Sequence, residues 1–396
     1  MADKYLDIPG ENTQSEYLVK TLSGLEDVLF AQMEELGLEK LRKTTRGVWF
    51  EGSMHDMMRA SYSLRTALRV IMPIATFSAY DERRLYKKAK EVAWEDFMLL
   101  DQTFSIDANV RSEIFTHSHY AALLVKDAIV DRFREKFDQR PNIEISVPDW
   151  RIDLHIDDQE VTLSIDATGN SLHKRGYRLV APGAPVNEVL AAGMVALSGW
   201  TVDKPLVDPM CGSGTILAEA YMYARNIAPQ KYRRHFGFFC WPNYKEAEFN
   251  QIKAERDALE NDVQPQLAGS DIQEERIAST KSTLAHLGCE SADLRYGDFF
   301  KISPPSEDGV IITNPPYNIR VQVDDIVEFY QNIGTTLKHQ WPGWNAWILA
   351  PEDGPFKQIG LKPDKKYPIH NGQLACKFQG YTLFKGKRKE KLASQE

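Results

Sequence analysis

Cysteine is scarce in this 396-residue chain: Cys211, Cys240, Cys289 and Cys376 are the four, and no two share a CxxC spacing. That scatter argues against a disulfide framework and against structural zinc, so no metal partner is expected. No apolar run reaches the ~18 residues of a membrane span, and Met1-Ala2-Asp3-Lys4-Tyr5 opens no secretion leader. A cytoplasmic location without a membrane partner is the expectation. Positive charge is short as well, since 48 Lys and Arg against 56 Asp and Glu leave a formal net charge of −8. The balance argues against a general polyanion binder, although phosphate binding depends on local basic surface rather than on the sum. Also missing are the GxGxxG spacing of a dinucleotide site and the lysine of a phosphate-binding loop. Both absences make a nicotinamide dehydrogenase the weakest of the enzyme classes.

The length allows two or three domains, and the pattern changes near the middle. Ser23-Gly24-Leu25-Glu26 fits a capping box, with Leu25, Val28, Leu29, Met33 and Leu36 on one helical face and Gly37 closing it. Val48-Trp49-Phe50 reads as a strand, and the alternation from Phe104 to Val110 as a half-buried one. A helix is predicted from His117 to Phe137. Alternating residues on either side of Asp157-Asp158-Gln159-Glu160 predict a hairpin. The first 170 residues or so are therefore α+β. Beyond them, apolar strands near 206, 268, 294, 311 and 348 alternate with amphipathic helices, which is the βαβ pattern of a doubly wound sheet. Asn371-Gly372 between two short strand patterns predicts a terminal antiparallel hairpin. The boundary is expected near 168–185, where Gly169, Gly176 and Gly183 interrupt a basic stretch.

The chemistry is concentrated at the predicted strand ends, where parallel sheets hold ligands. Val310-Ile311-Ile312 runs into Asn314-Pro315-Pro316-Tyr317. The Asn314 side-chain oxygen and the Pro315 carbonyl are two acceptors suited to the N–H bonds of a nucleobase amine. Holding those bonds out of the ring plane localises the lone pair and makes a sluggish nitrogen nucleophilic towards an activated methyl group. Tyr317 offers a stacking face, worth about 1–3 kcal/mol per base. Asn-Pro also starts ordinary turns, so the tetrapeptide alone leaves both readings open. Asp208-Pro209-Met210-Cys211-Gly212-Ser213-Gly214-Thr215 leads from a strand into a helix, where glycines let a ligand approach free N–H groups. An adenosine ligand without a pyrophosphate fits that turn. Asp271-Ile272 ends the second strand and is placed for a ribose; Asp298-Phe299 ends the third, with an acceptor and a ring for adenine.

Residues 174–385 resemble class I S-adenosylmethionine-dependent methyltransferases, in the RNA branch that carries DPxCGSGT and NPPY. Residues 60–168 resemble a THUMP domain, an RNA-binding module, and Ser171-Leu172-His173-Lys174-Arg175-Gly176-Tyr177-Arg178 resembles the junction between the two. The whole is similar to the bacterial guanine-N2 methyltransferases of large-subunit ribosomal RNA, whose relatives are often labelled adenine-N6 DNA methylases. The resemblance implies a ferredoxin-like α+β subdomain at 1–60 and a THUMP-like domain at 61–168. It then implies a Rossmann-like seven-stranded α/β methyltransferase domain at 169–385 with a reversed last strand, and a basic flexible tail at 386–396.

It implies S-adenosylmethionine as cofactor, with its methionine part at Asp208, Pro209, Cys211, Gly212, Gly214 and Thr215. Ribose falls to Asp271 and Ile272, adenine to Asp298 and Phe299, and the target amine to Asn314, Pro315, Pro316 and Tyr317, with Asn314 also next to the cofactor. The implied partner is ribosomal RNA and the implied target guanine N2, with an adenine-N6 enzyme and a non-catalytic RNA-binding protein as alternatives. Lys174, Arg175, Tyr177 and Arg178 are expected to contact the RNA, or else to pair with acidic surface. Asn318 departs from the glycine usual there. The stretch from Asn226 to Pro265 enlarges the gap before Asp271; its Tyr232, His235, Phe236, Phe238, Phe239 and Trp241 either cover the sheet or touch RNA.

Overall fold

The computed structural model describes residues 4–5, 13–178, 185–317 and 325–384. Gly183, Asn318 and the tail at 386–396 lie outside them. The chain packs as two compact units. The first holds Met1–Thr21, Leu29–Lys174 and Arg234–Glu255; the second holds Leu22–Val28, Arg175–Arg233 and Arg256–Glu396.

In the first unit a single sheet of nine strands runs through both N-terminal regions. The strand Arg69–Ser78 pairs antiparallel with Ser15–Lys20 on one side and with Glu160–Asp166 on the other. Its run of β-branched and aromatic residues suits a central strand. The register slips between Pro73 and Ala75, where proline brings no N–H to the ladder. The expected boundary at 60/61 falls inside the helix Met54–Ser63, so these two regions are not separate bodies. Ser53 and Asp56 form a full capping box on that helix. The helix expected behind Ser23 is Glu26–Glu35. The helix there begins at Glu26, whose carboxylate accepts the Gly24 N–H at 2.7 Å, and Gly24 turns the chain at φ +91°. The predicted long helix is Ser118–Phe137, and the hairpin pairs Trp150–Asp157 with Glu160–Asp166.

The aromatic insertion also belongs largely to this unit. Phe236, Phe238, Trp241 and Phe249 are buried. Trp241 lies parallel to Trp150 with ring centroids 6.2 Å apart, and Phe249 meets Tyr62 edge-on. These rings therefore pack within the first unit, and burying them removes a large apolar area from water.

The second unit contains a seven-stranded sheet: β1 Leu206–Asp208, β2 Leu267–Asp271, β3 Asp293–Tyr296, β4 Val310–Thr313, β5 Asn345–Pro351, β6 Lys365–Asn371 and β7 Leu374–Thr382. Their order is β3-β2-β1-β4-β5-β7-β6. The first five are parallel, and β7 runs antiparallel between β5 and β6. Every residue of β1 and β4 is buried, as expected for strands of a parallel sheet covered on both faces. Val207, Ile311 and Ile348 pack with Tyr330, Trp341 and Trp344 in the core. Strand order changes direction between β1 and β4, which opens a crevice at their carboxyl ends. Among the described residues no helix is long and apolar enough to cross a membrane.

Candidate active site at the ends of the parallel strands

Asp208 ends β1 and Thr313 ends β4, so the two residues flank the crevice. The Thr313 hydroxyl donates to Asp208 Oδ1 at 3.0 Å, and the Met210 N–H donates to the same oxygen at 3.3 Å. Asp208 is fully buried, and burial pushes its carboxyl up to about 7 despite those two donors; nearby Asp271 adds to the shift. One buried hydrogen bond thus ties the strand that opens the glycine turn to the strand that carries Asn314.

The turn itself is stitched to β2. The Cys211 N–H donates to the Ser270 carbonyl at 2.9 Å, and the Ser270 hydroxyl donates to the Pro209 carbonyl at 2.8 Å. The Gly212 N–H donates to Asp271 Oδ2 at 3.0 Å, while Thr280 Oγ1 donates to the Gly212 carbonyl at 2.9 Å. Gly212 and Gly214 both take positive φ, at +55° and +76°. A Cβ on Gly214 would lie 2.5 Å from Thr280 Cγ2, so only glycine fits. A Cβ on Gly212 would meet nothing nearer than Arg276 Nη1 at 4.0 Å, which leaves that side of the backbone open to a ligand. Thr215 begins the helix Thr215–Ala224, whose first turn has no side-chain cap. In the same turn the Ser213 hydroxyl is buried and has no partner among the described residues. Free N–H groups and an unused hydroxyl suit the charged end of an amino-acid ligand.

Asp271 Oδ1 accepts the Gln273 N–H at 2.9 Å, and each carboxylate oxygen keeps a further lone pair for a ribose hydroxyl. Ile272 beside it is 67% exposed and offers an apolar surface. Asp298 is partly exposed and caps a short 3-10 turn by accepting the Phe300 N–H at 3.1 Å. The Phe299 ring is buried against Trp341 and Phe300 and belongs to the core. Asn314 follows β4, and its side-chain oxygen is buried with no hydrogen-bond partner among the described residues. Pro315 is buried, Pro316 half-buried, and Tyr317 packs partly against the core cluster. The structure therefore gathers Asp208, the 209–215 turn, Asp271 and Asn314 at adjoining strand ends.

The junction residues require a correction. Arg175 and Tyr177 are buried, where the guanidinium pairs with Glu219 at 3.3 Å and the Tyr177 hydroxyl donates to the same oxygen at 3.1 Å. Burial and the Glu219 charge raise the Tyr177 phenol well above its ordinary value. Arg178 turns inward too, donating to Thr215 Oγ1 at 2.8 Å and pairing with Glu188 at 2.9 Å. Leaving a buried carboxylate unpaired is strongly unfavourable, so in the structure these bases serve Glu219 and Glu188. Lys174 alone of the four is exposed. Ser270, Thr280 and Thr313 were not anticipated; Ser270 and Thr313 directly precede Asp271 and Asn314, while nothing local marks Thr280.

The chain is similar to known proteins over most of its length. Residues 175–379 match the family described as RMKL-like, methyltransferase domain; residues 79–166 match the THUMP domain and 16–71 the RlmL ferredoxin-like domain. A Synechocystis sp. protein named as an RNA methyltransferase is 36% identical over 94% of this chain and 98% of its own length. The ribosomal RNA large subunit methyltransferase K/L of Syntrophotalea carbinolica is 37% identical over 91% of this chain, which spans about half, 52%, of that protein. Among solved structures, a methyltransferase complexed with S-adenosylhomocysteine superposes with a TM-score of 0.82, at 28% identity over 94% of this chain and 99% of its own. A Listeria monocytogenes protein titled as an N6-adenine-specific DNA methylase gives 0.81, at 29% identity over 93% and 96%.

Proposed function

The chain belongs to the RMKL-like methyltransferase family, and from that membership we propose that it methylates an exocyclic amine of ribosomal RNA, guanine N2 of the large-subunit RNA, using S-adenosylmethionine. The observation that carries this reading is the buried, unpartnered Asn314 oxygen beside the β1–β4 crevice. A buried acceptor without a donor costs about 1–3 kcal/mol, a cost that an incoming N–H group removes. The THUMP match and the ribosomal RNA named for the K/L relatives support an RNA substrate in the cytoplasm. Because the chain spans about half of those relatives, their activity comes to it only as part of the proposal, and guanine N2 is taken from the sequence resemblance.

S-adenosylmethionine, when bound, supplies a methyl group on a positively charged sulfur. Gly212, Ser213 and Thr215 hold its amino-acid end, Asp271 the ribose, and Ile272 with Asp298 the adenine. Asn314 Oδ1 and the Pro315 carbonyl accept the two N–H bonds of the base. Neither Pro315 nor Pro316 has a backbone N–H, so this stretch of backbone presents only acceptors to the amine. The Asp208–Thr313 bond fixes the start of that stretch against the cofactor turn. Orientation of this kind removes several kcal/mol of barrier, up to ~7–11 in the best cases. The base has to be unpaired or flipped to reach Asn314, at a cost of a few kcal/mol.

Asn314→Ala is expected to abolish single-turnover transfer while S-adenosylmethionine affinity stays within a few-fold; near-normal turnover would remove Asn314 from the mechanism. The Listeria neighbour's title supports a second reading, adenine-N6 methylation of DNA. Methylation of duplex DNA but not of ribosomal RNA by the purified protein would decide for it.

A further inference from the structure

The junction peptide brings a cation to an unexpected place. Arg178 Nη2 donates to Thr215 Oγ1 at 2.8 Å, and Thr215 is the first residue of the helix Thr215–Ala224. Helix N-termini carry partial positive charge and free N–H groups, so a guanidinium there is repelled by the helix it touches. Among the described residues its one acidic partner is Glu188, at 2.9 Å from the same nitrogen. Burial raises the Glu188 carboxyl above its usual range, and the Arg178 charge acts in the opposite direction. Only 14% of the Arg178 side chain is exposed, and its Nε–H is buried with no acceptor. Two residues before Thr215 the Ser213 hydroxyl is also buried and unpartnered among the described residues, and the helix has no side-chain cap. The site therefore has an excess of donors beside a partly positive helix end, which an added anion would satisfy.

We propose that Arg178 binds the carboxylate of the cofactor's methionine moiety, together with Ser213 and the first N–H groups of the helix. This rests on the S-adenosylmethionine reading above. The amino-acid end assigned to the 208–215 turn carries one anionic group, a carboxylate, and guanidinium is the side chain suited to planar, charge-assisted pairing with it. Glu188 then acts as the positioning residue that keeps the guanidinium at the turn. The junction peptide thus becomes part of the cofactor pocket.

Calorimetry on the full chain tests this with two ligands. S-adenosylhomocysteine carries the carboxylate; its decarboxylated analogue keeps the adenosine, the sulfur and the ammonium but lacks that group. Native protein is expected to bind the first at least tenfold more tightly than the second. In Arg178→Met, S-adenosylhomocysteine should lose tenfold or more while the decarboxylated ligand changes less than twofold, and Arg178→Lys should recover part of the loss. Preserved binding of the decarboxylated ligand doubles as proof of folding. Equal losses for both ligands would make Arg178 a structural residue and overturn the inference alone. Unchanged S-adenosylhomocysteine affinity with weakened ribosomal RNA binding would overturn it in favour of a phosphate contact. Native protein that binds neither ligand would overturn the cofactor reading as well.

Discussion

Asp208 provides a quantitative test of how the site is built. Its carboxyl has an ordinary value of 3.8 and is carried up to about 7 by burial, with the Thr313 hydroxyl and the Met210 N–H acting in the opposite direction. In the folded protein the proton is held more tightly than in the unfolded chain. Between pH 4 and 7 the unfolded chain therefore ionises first, and stability falls as pH rises; above about 7 both states are ionised and the loss is complete. Carrying one carboxyl over that interval costs about 4 kcal/mol, of which about 2–3 kcal/mol falls between pH 5 and pH 8. Asp208→Asn removes the titration while keeping the shape. Its stability relative to the native protein is thus expected to rise by about 2–3 kcal/mol from pH 5 to pH 8. Urea denaturation read by hydrogen exchange of peptides covering residues 206–224 follows the unit that holds the residue. Parallel stability curves for the two proteins, or a relative change of opposite sign, would show that Asp208 is neither dry nor reluctant to ionise, and the description of the β1–β4 link would fail with it.

Gly214→Ala should weaken S-adenosylhomocysteine binding at least tenfold, because φ of +76° and a Cβ 2.5 Å from Thr280 Cγ2 force the turn and the Thr280–Gly212 bond apart. Thr280→Ala in the same protein should recover part of the affinity by making room; calorimetry of both variants checks the pair. Arg175→Met should destabilise the protein by about 3–5 kcal/mol, since it strands the buried Glu219 carboxylate, and Glu219→Gln beside it should restore part of the loss in a urea titration. A phosphate role for Arg175 predicts something different, a salt dependence of RNA binding flatter by about one ion.

Much of the architecture is legible in the chain because the signals are local. Period-two alternation predicts the 103–111 strand and the 150–166 hairpin, and apolar runs separated by helical faces predict the five parallel strands. The turn at Asn371-Gly372 marks the antiparallel pair β6 and β7. The site motifs are legible for the same reason: each ends a predicted strand, and parallel strand ends meet.

Other features have no local signature. Lys174 to Arg178 looks the same in sequence whether it faces solvent or an acid, and the acid is Glu219, 44 residues away inside a helix. Thr313 and Asp208 are 105 residues apart, and Thr280 is a helical threonine like any other until it closes on Gly212. The aromatic insertion is plain as composition, yet its assignment to the first unit depends on Trp150 and Tyr62, which pack against it.

Composition, periodicity and turn chemistry act over a few residues, so the sequence by itself determined the strands, the motifs and their order. Which charges are buried, which oxygen is left without a donor, and which residues secure the glycine turn depend on neighbours distant along the chain. Desolvation and pairing exist only once those neighbours are in contact, and for that reason only the tertiary structure decided them.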